Sequence, residues 1–142
     1  STAPEKFVTL VYGVLDTQEH TFQYSNGGHN PPLLASPGKP LRLLDTGGTL
    51  MGIIEGAAFQ EETVTLEPGD VIVQYTDGIP EATNGRQELL GEERLAHLVD
   101  AHKQYSAREI MDAILSAVVA HQGSEPAADD MTVLIIRRLP AA

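Results

Sequence analysis

Val71-Ile72-Val73-Gln74-Tyr75-Thr76-Asp77-Gly78 is an apolar, β-branched run that ends in an acid and a glycine. A second stretch, Asp129-Asp130-Met131-Thr132-Val133-Leu134-Ile135-Ile136, carries the same parts in reverse order. Both runs read as buried strands bounded by turn residues. A sheet interior has no use for an aspartate, whereas a metal site at the rim of a sheet does. If the two strands are neighbours, three carboxyl groups converge: Asp77, Asp129 and Asp130. Two carboxylates about 4 Å apart repel by roughly 4 kcal/mol at an effective dielectric of about 20, equivalent to about three pK units. Such a cluster holds a proton or binds a hard cation, and the cation is the favoured reading. Taken singly, each acid has a plainer role. Asp77 suits a turn in which it accepts from nearby amides, and Asp129 or Asp130 suits an N-terminal turn or cap. Joint occurrence at two strand ends is what favours a site.

Outward from these runs, the first half of the chain reads as antiparallel β-structure. Phe7 to Leu15 is apolar on both faces, as a central strand is. The polar turn Asp16-Thr17-Gln18-Glu19-His20 leads to an alternating strand, Thr21 to Ser25, giving a hairpin. Asn26-Gly27-Gly28-His29-Asn30-Pro31-Pro32 is built from residues that tolerate positive φ or fix φ. Short strands follow at Leu33 to Ala35 and Leu41 to Leu44, joined by Pro37-Gly38-Lys39-Pro40. Phe59 to Leu66 alternates, and Glu67-Pro68-Gly69-Asp70 ends it in a turn. After Gly91 the period changes. Glu92-Glu93 suit a helix start, with Leu95, Leu98, Val99 and His102 on one face. Ser106-Ala107-Arg108-Glu109 is a capping box opening a second helix, with Ile110, Ile114, Ala117 and Val118 in register and Gly123 as its stop. Strands, two helices and a closing strand predict an α+β sandwich with helices on one sheet face.

Composition bounds the function. The 142 residues are 42% hydrophobic, enough for one domain with a core. Twenty acidic against nine basic residues give a net charge of −11, which argues against nucleic-acid or anionic-membrane binding. Cysteine is absent, so disulfides and thiolate metal sites are excluded, and a reducing cytoplasm is compatible with the chain. No apolar run reaches the roughly 20 residues of a membrane span. Ser1-Thr2-Ala3-Pro4-Glu5-Lys6 is no signal peptide; without an initiator Met, the start reads as that of a fragment.

Tyr75-Thr76-Asp77-Gly78-Ile79-Pro80-Glu81-Ala82 resembles the "YTDGvtEA" element of the SpoIIE/RsbU family of bacterial serine phosphatases, a branch of the metal-dependent (PPM) phosphatases. Phe7 to Asp16 resembles that family's "FmTlfygvlD" strand, and Asn26-Gly27-Gly28-His29-Asn30-Pro31-Pro32-Leu33-Leu34 its "NaGHnPpll". Thr46-Gly47-Gly48-Thr49-Leu50-Met51-Gly52-Ile53 resembles "tGglplGi", and Leu66-Glu67-Pro68-Gly69-Asp70 the "L.pGD" turn. Asp129-Asp130-Met131-Thr132-Val133 resembles the closing "DDmTvlv". Six elements in order cover nearly the whole chain.

The resemblance implies a PP2C-like αββα sandwich, here partial, with metals at one end of its two sheets. It implies Asp77 and Asp129 as metal ligands and Asp130 as an auxiliary group beside them. His29 lies where many relatives carry an Asp; it is either a ligand or a structural residue pinning its glycine turn. The family's opening "DxxGHG" strand has no counterpart, and Asp45-Thr46-Gly47-Gly48 cannot stand in for it. Residues 1–142 are therefore expected to be the C-terminal two-thirds of the phosphatase domain, weakly active or inactive alone. The implied reaction is hydrolysis of phosphoserine or phosphothreonine in a regulatory protein, commonly a STAS-domain anti-anti-sigma factor. Two Mn²⁺ or Mg²⁺ ions about 3.5–4 Å apart would activate the attacking water, so no covalent nucleophile is needed. Oxygen-only ligands suit these ions better than Zn²⁺. An upstream sensor or regulatory domain is a further implied partner. The main rival is a PPM-like protein-binding module without catalysis. A cupin-like metal sandwich, raised by Glu67-Pro68-Gly69-Asp70, lacks the clustered histidines it needs.

Overall fold

The structure is a computed structural model that describes residues 9–48, 60–127 and 129–140. In chain order the described residues form β1 (Leu10–Asp16), β2 (Thr21–Gly27), β3 (Leu33–Ala35), β4 (Arg42–Leu43), β5 (Gly47–Gly48), β6 (Glu62–Thr65) and β7 (Val71–Tyr75). They continue with α1 (Glu92–His102), α2 (Ala107–Gln122) and β8 (Val133–Arg137). The chain divides into two compact units: Ser1–Pro31 with Leu43–Glu67, and Pro32–Arg42 with Pro68–Ala142. Among the described residues no helix is long and apolar enough to cross a membrane.

In the first unit, β2 is the inner strand. It pairs antiparallel with β1 from Leu10↔Gly27 to Asp16↔Thr21, and antiparallel with β6 from Thr21↔Thr65 to Tyr24↔Glu62. The hairpin turn is held by Asp16, whose Oδ1 accepts from the Gln18 and Glu19 amides at 2.9 Å. Alternation along β2 buries Phe22, Tyr24 and Asn26, and the Phe22 and Tyr24 rings stack at 5.9 Å. Gly13 makes room for this: a Cβ there would lie 2.4 Å from Phe22 Cζ. The Tyr24 hydroxyl donates to Glu62 Oε1 at 2.6 Å and accepts from the Thr46 amide at 3.2 Å. Burial and the Glu62 carboxylate raise its pKa. The glycine motifs meet here, because β5 pairs parallel with the end of β2, Asn26↔Gly47 and Gly27↔Gly48.

The second unit holds the sheet β4-β3-β7-β8. β3 and β7 are antiparallel, Leu33↔Val73 to Ala35↔Val71, and β7 and β8 run from Val71↔Arg137 to Tyr75↔Val133. Val71, Ile72 and Val73 are fully buried. Each such side chain contributes about 1.5–3 kcal/mol relative to exposure. α1 buries Leu95 and Val99, and α2 buries Ile110, Ile114 and Val118. These five join Leu33, Ala35, Val71, Val73 and Tyr75 in one apolar core, flanked by Val133 and Ile135 of β8. The helix starts differ. α1 has Gly91 at its N-cap and no side-chain cap, whereas α2 opens on the complete Ser106–Glu109 capping box and stops at Gly123, φ 59°.

The α+β reading holds, and so do the hairpin, β3, β7, both helices and the capping box. Four expectations are corrected. Among the described residues β1 pairs on one side only, with β2, where a central strand was expected, and Tyr12 is 64% and Val14 47% exposed. Among the described residues β8 pairs on one side only, with β7, and Leu134 is 52% exposed where a fully buried strand was expected. In both cases an apolar run specifies extended chain but carries no information about which element covers it. The strands expected at Leu41–Leu44 and Phe59–Leu66 are shorter, as β4 and β6, and the parallel pairing of β5 has no counterpart in the expected antiparallel layout. Phe7, Val8, Phe59 and Thr49 to Ile53 lie outside the described residues.

The capping box gives a direct test. Ser106→Ala is expected to cost about 1 kcal/mol, lowering the melting temperature by about 3 °C, while Ser124→Ala in the exposed loop leaves it unchanged. Equal melting of Ser106→Ala and the parent would remove the cap from the account of α2.

Candidate functional site

The two acidic stretches are brought together by the β7–β8 ladder. The last paired residues, Tyr75 and Val133, put Thr76 beside Thr132. The Thr76 amide donates to Thr132 O at 3.1 Å, extending the ladder by one step. Past that point the Thr76 side chain takes over. Its hydroxyl accepts from the Thr132 amide at 3.0 Å and donates to Asp130 O at 3.4 Å. One β-branched residue with a hydroxyl thus closes three polar contacts between the two loops, leaving Asp77 on one side and Asp130 on the other.

Gly78 completes the junction. A Cβ there would lie 2.1 Å from Asp130 O and 2.8 Å from Asp130 C. The residue is therefore glycine because a carbonyl occupies the side-chain position. Downstream, Ile79 N donates to Thr76 O at 3.1 Å and Glu81 N to Asp77 O at 2.9 Å, making a turn that buries Ile79 and Ala82. The Gly91 and Leu90 amides then bond back to Pro80 O and Ala82 O, both at 2.8 Å, so the turn also fixes where α1 begins.

Asp77, Asp129 and Asp130 are all exposed at this end of the sheet. Asp129 Oδ1 accepts from the Asp130 amide at 2.8 Å, which uses one of about four acceptor positions on a carboxylate. Ala128 lies outside the described residues. The loops meet as the sequence predicts, at backbone level. A tight cage of carboxyl groups is not formed: among the described residues no three His, Cys, Asp or Glu side chains are grouped closely enough to hold a metal ion. The donors nevertheless suit a hard cation, since they are carboxylate oxygens turned to solvent at the ends of two rigidly joined strands.

Tyr75, 4% exposed, lies beneath this surface. Burial first, then the charges of Glu92 and Asp77, push its hydroxyl up to about 12. It stays neutral at ordinary pH and adds no charge under the carboxylates. The other candidate, His29, lies in the glycine turn that follows β2. Its backbone N–H and C=O are both bonded by the Asn26 amide side chain, at 2.8 and 2.9 Å, and its Nδ1 meets Thr9 Oγ1 at 3.1 Å. His102 and His121 bond the Leu98 and Glu88 carbonyls at 2.8 Å. The clamp by Thr76 and the close approach at Gly78 were not expected from the sequence. The available signal was a hydroxyl beside each acidic stretch, at Thr76 and Thr132.

A family model described as Stage II sporulation protein E (SpoIIE) matches residues 1–139. The chain belongs to the SpoIIE family. This SpoIIE-family chain is 28% identical over 133 residues to phosphoserine phosphatase RsbU of Bacillus subtilis (strain 168), covering 93% of itself and 39% of RsbU. A crystal structure of the RsbU and RsbW domains of Rv1364c from Mycobacterium tuberculosis matches at 30% identity and TM-score 0.69, over 94% of this chain and 38% of that one. The PP2C phosphatase domain of SpoIIE from Bacillus subtilis, solved with a fragment of its regulatory domain, shares the fold. Its TM-score is 0.71 at 21% identity, over 91% of this chain and 37% of that chain. The PP2C-like fold expected from the motifs is thereby established. The SpoIIE-family chain spans 21% and 39% of the length of the first curated relatives it matches.

Two outcomes follow from the junction. Gly78→Ala should cost about 2 kcal/mol or more in urea unfolding, because backbone must move. Gly85→Ala, where a Cβ meets only Glu125 Oε1 at 3.8 Å, should stay within about 0.5 kcal/mol; equal costs would refute the close approach. Tyr75 gives a pH signature. The folded state keeps a proton that the unfolded chain releases near its ordinary value of 10. Its contribution is therefore complete below pH 10 and lost as pH rises toward about 12. Tyr75→Phe should flatten the fall of the urea midpoint over that window, and an unchanged slope would rule Tyr75 out.

Proposed function

We propose that this chain is part of a metal-dependent protein serine/threonine phosphatase. It would hydrolyse phosphoserine or phosphothreonine in a regulatory protein of the STAS anti-anti-sigma type. The observation that carries the reading is the junction at Thr76 and Gly78, which fixes Asp77 and the Asp129-Asp130 pair on neighbouring loops of a PP2C-like fold. Membership of the SpoIIE family supports the reaction class, as does likeness to a phosphoserine phosphatase. A relative that joins RsbU and RsbW domains in one chain supports a setting among regulatory proteins. In this reading residues 1–142 are the C-terminal two-thirds of the phosphatase domain, and an upstream regulatory domain controls it.

Asp77 and Asp129 are assigned as ligands to Mn²⁺ or Mg²⁺, with Asp130 beside them. What a divalent cation supplies there, when bound, is Lewis acidity toward water and positive charge for the phosphoryl oxygens. The protein's own share is position and charge. Thr76 holds the spacing of the two loops, so no ordering is required when a ligand arrives. Asp129, bonded to the Asp130 amide, keeps acceptor capacity on its carboxylate. Tyr75 closes the floor as a neutral, buried ring.

The test is Asp77→Asn in the full-length protein. Mn²⁺-dependent phosphate release from a phospho-STAS substrate and from p-nitrophenyl phosphate should fall by more than about 100-fold, the upper range for losing even an outer partner of a metal site. Calorimetric Mn²⁺ binding should weaken in parallel. Unchanged turnover with an unchanged Mn²⁺ titration would refute Asp77 as a ligand. A full-length parent that binds no Mn²⁺ and releases no phosphate would leave the chain as a PPM-like binding module.

A further inference from the structure

The "L.pGD" turn has no part in the acidic site, yet it helps to build a cavity at the other end of the same sheet. Pro68 and Gly69 of that turn line it, with Pro37, Gly38, Lys103, Gln104, Arg137 and Pro140, around a volume of about 400 Å³. The cavity lies where β7 begins and β8 ends. Arg137 pairs with Val71, six residues before Asp77, so it stands about 20 Å from the acidic site along the strand.

The walls are fixed by their own bonds. Gly69 N donates to Arg138 O and Arg138 N to Asp70 O, both at 2.9 Å, which locks the turn to the end of β8. Gly69 has φ +88°, and a Cβ on it would strike Pro37 Cγ at 2.9 Å, so the two turns pack only because that position is glycine. On the helix side, Lys103 Nζ bonds Lys39 O at 3.0 Å and Asp100 Oδ1 at 2.9 Å. That ties the end of α1 to the 37–40 turn and neutralises the lysine.

Arg137 is different. It follows Val133 and Ile135 on the helix-facing side of β8, and those two pack on the core, so its stem runs along apolar surface with its head at the cavity. Of its five N–H donors, Nη2 reaches Gln104 O at 3.5 Å, the outer limit of a hydrogen bond. Its Nε is buried and, among the described residues, has no hydrogen-bond partner. A desolvated guanidinium donor without an acceptor is costly, and native structures rarely keep one without a purpose. The surrounding proline rings supply apolar surface, and the guanidinium is a planar fork that matches a carboxylate.

We propose that this cavity is a binding site for a carboxylate carried on an apolar body. The carboxylate is held by Arg137, and the apolar part lies against Pro37, Pro68 and Pro140. The chemistry is shared by a free small-molecule acid and by an acidic side chain next to an apolar one in a peptide. The site is independent of the phosphatase reading.

The test uses the full-length ¹⁵N-labelled protein with EDTA present, so that the acidic site plays no part. Benzoate, its neutral counterpart benzamide, and the dipeptide acetyl-Leu-Glu-amide are titrated separately. Benzoate or the dipeptide should bind saturably with Kd about millimolar, moving the amides of Gly38, Gly69 and Gln104. The tighter of the two identifies the source as a small acid or a peptide. Benzamide should bind about tenfold more weakly or not at all, and Arg137→Gln should weaken the acid by about tenfold or more. Arg137→Lys preserves the charge and should retain part of the affinity, while Asp77→Asn should bind as the parent does. Benzamide binding equal to benzoate, Arg137→Gln binding equal to the parent, or no saturable shift at those amides would each overturn the proposal.

Discussion

Burial of β7 is the constraint from which the rest of the second unit follows. Val71, Ile72 and Val73 have no exposed surface, so both faces are filled, and a register slip of one residue would exchange every side chain packed on the helices for one shaped to the opposite face. Once that register is fixed by β3 and β8, both ends of the strand are fixed as well. At one end it delivers Thr76 and Asp77 beside Asp130. At the other it delivers Gly69 beside Pro37 and Arg137 beside the end of α1. Two regions of opposite character, an acidic rim and a proline-lined cavity holding Arg137, are thus placed by a single strand.

The parts of the fold that were legible in the sequence are those with a local physical cause. A β-branched run bounded by glycine and proline specifies β7. A serine three residues before a glutamate specifies the start of α2, and both reciprocal bonds are present. The polar hairpin turn is equally local, since Asp16 bonds amides two and three residues on. What stayed hidden depends on partners far away in the chain. Tyr12 and Val14 in β1, and Leu134 in β8, are as apolar as core residues but are exposed, on strands that pair on one side only among the described residues. The two-residue strand Gly47–Gly48 has no side chain with which to announce itself, and it exists because Asn26 and Gly27 lie alongside.

The candidate site divides in the same way. Acids at two strand ends mark where the loops must be, and the ladder confirms that they are neighbours. Nothing in the pattern shows that a threonine hydroxyl bridges them or that Gly78 yields its side-chain space to a carbonyl. The glycine was expected as a turn residue. It carries no positive φ, and its reason is close packing instead. Equally hidden is the hold of Asn26 on its turn, where its side chain bonds both backbone groups of His29.

The packing of Asp130 O against Gly78 has a bearing on mobility. Acidic loops at a sheet rim are commonly free to sway, drawing on the low-stability end of a protein. Here the two loops touch through backbone atoms and share one hydroxyl, so neither can drift while β7 and β8 remain paired. Order at the rim is inherited from the most deeply buried strand of the unit. Loss of the β7–β8 pairing would therefore free the acids as well, since the contacts that hold Asp130 beside Gly78 continue that ladder.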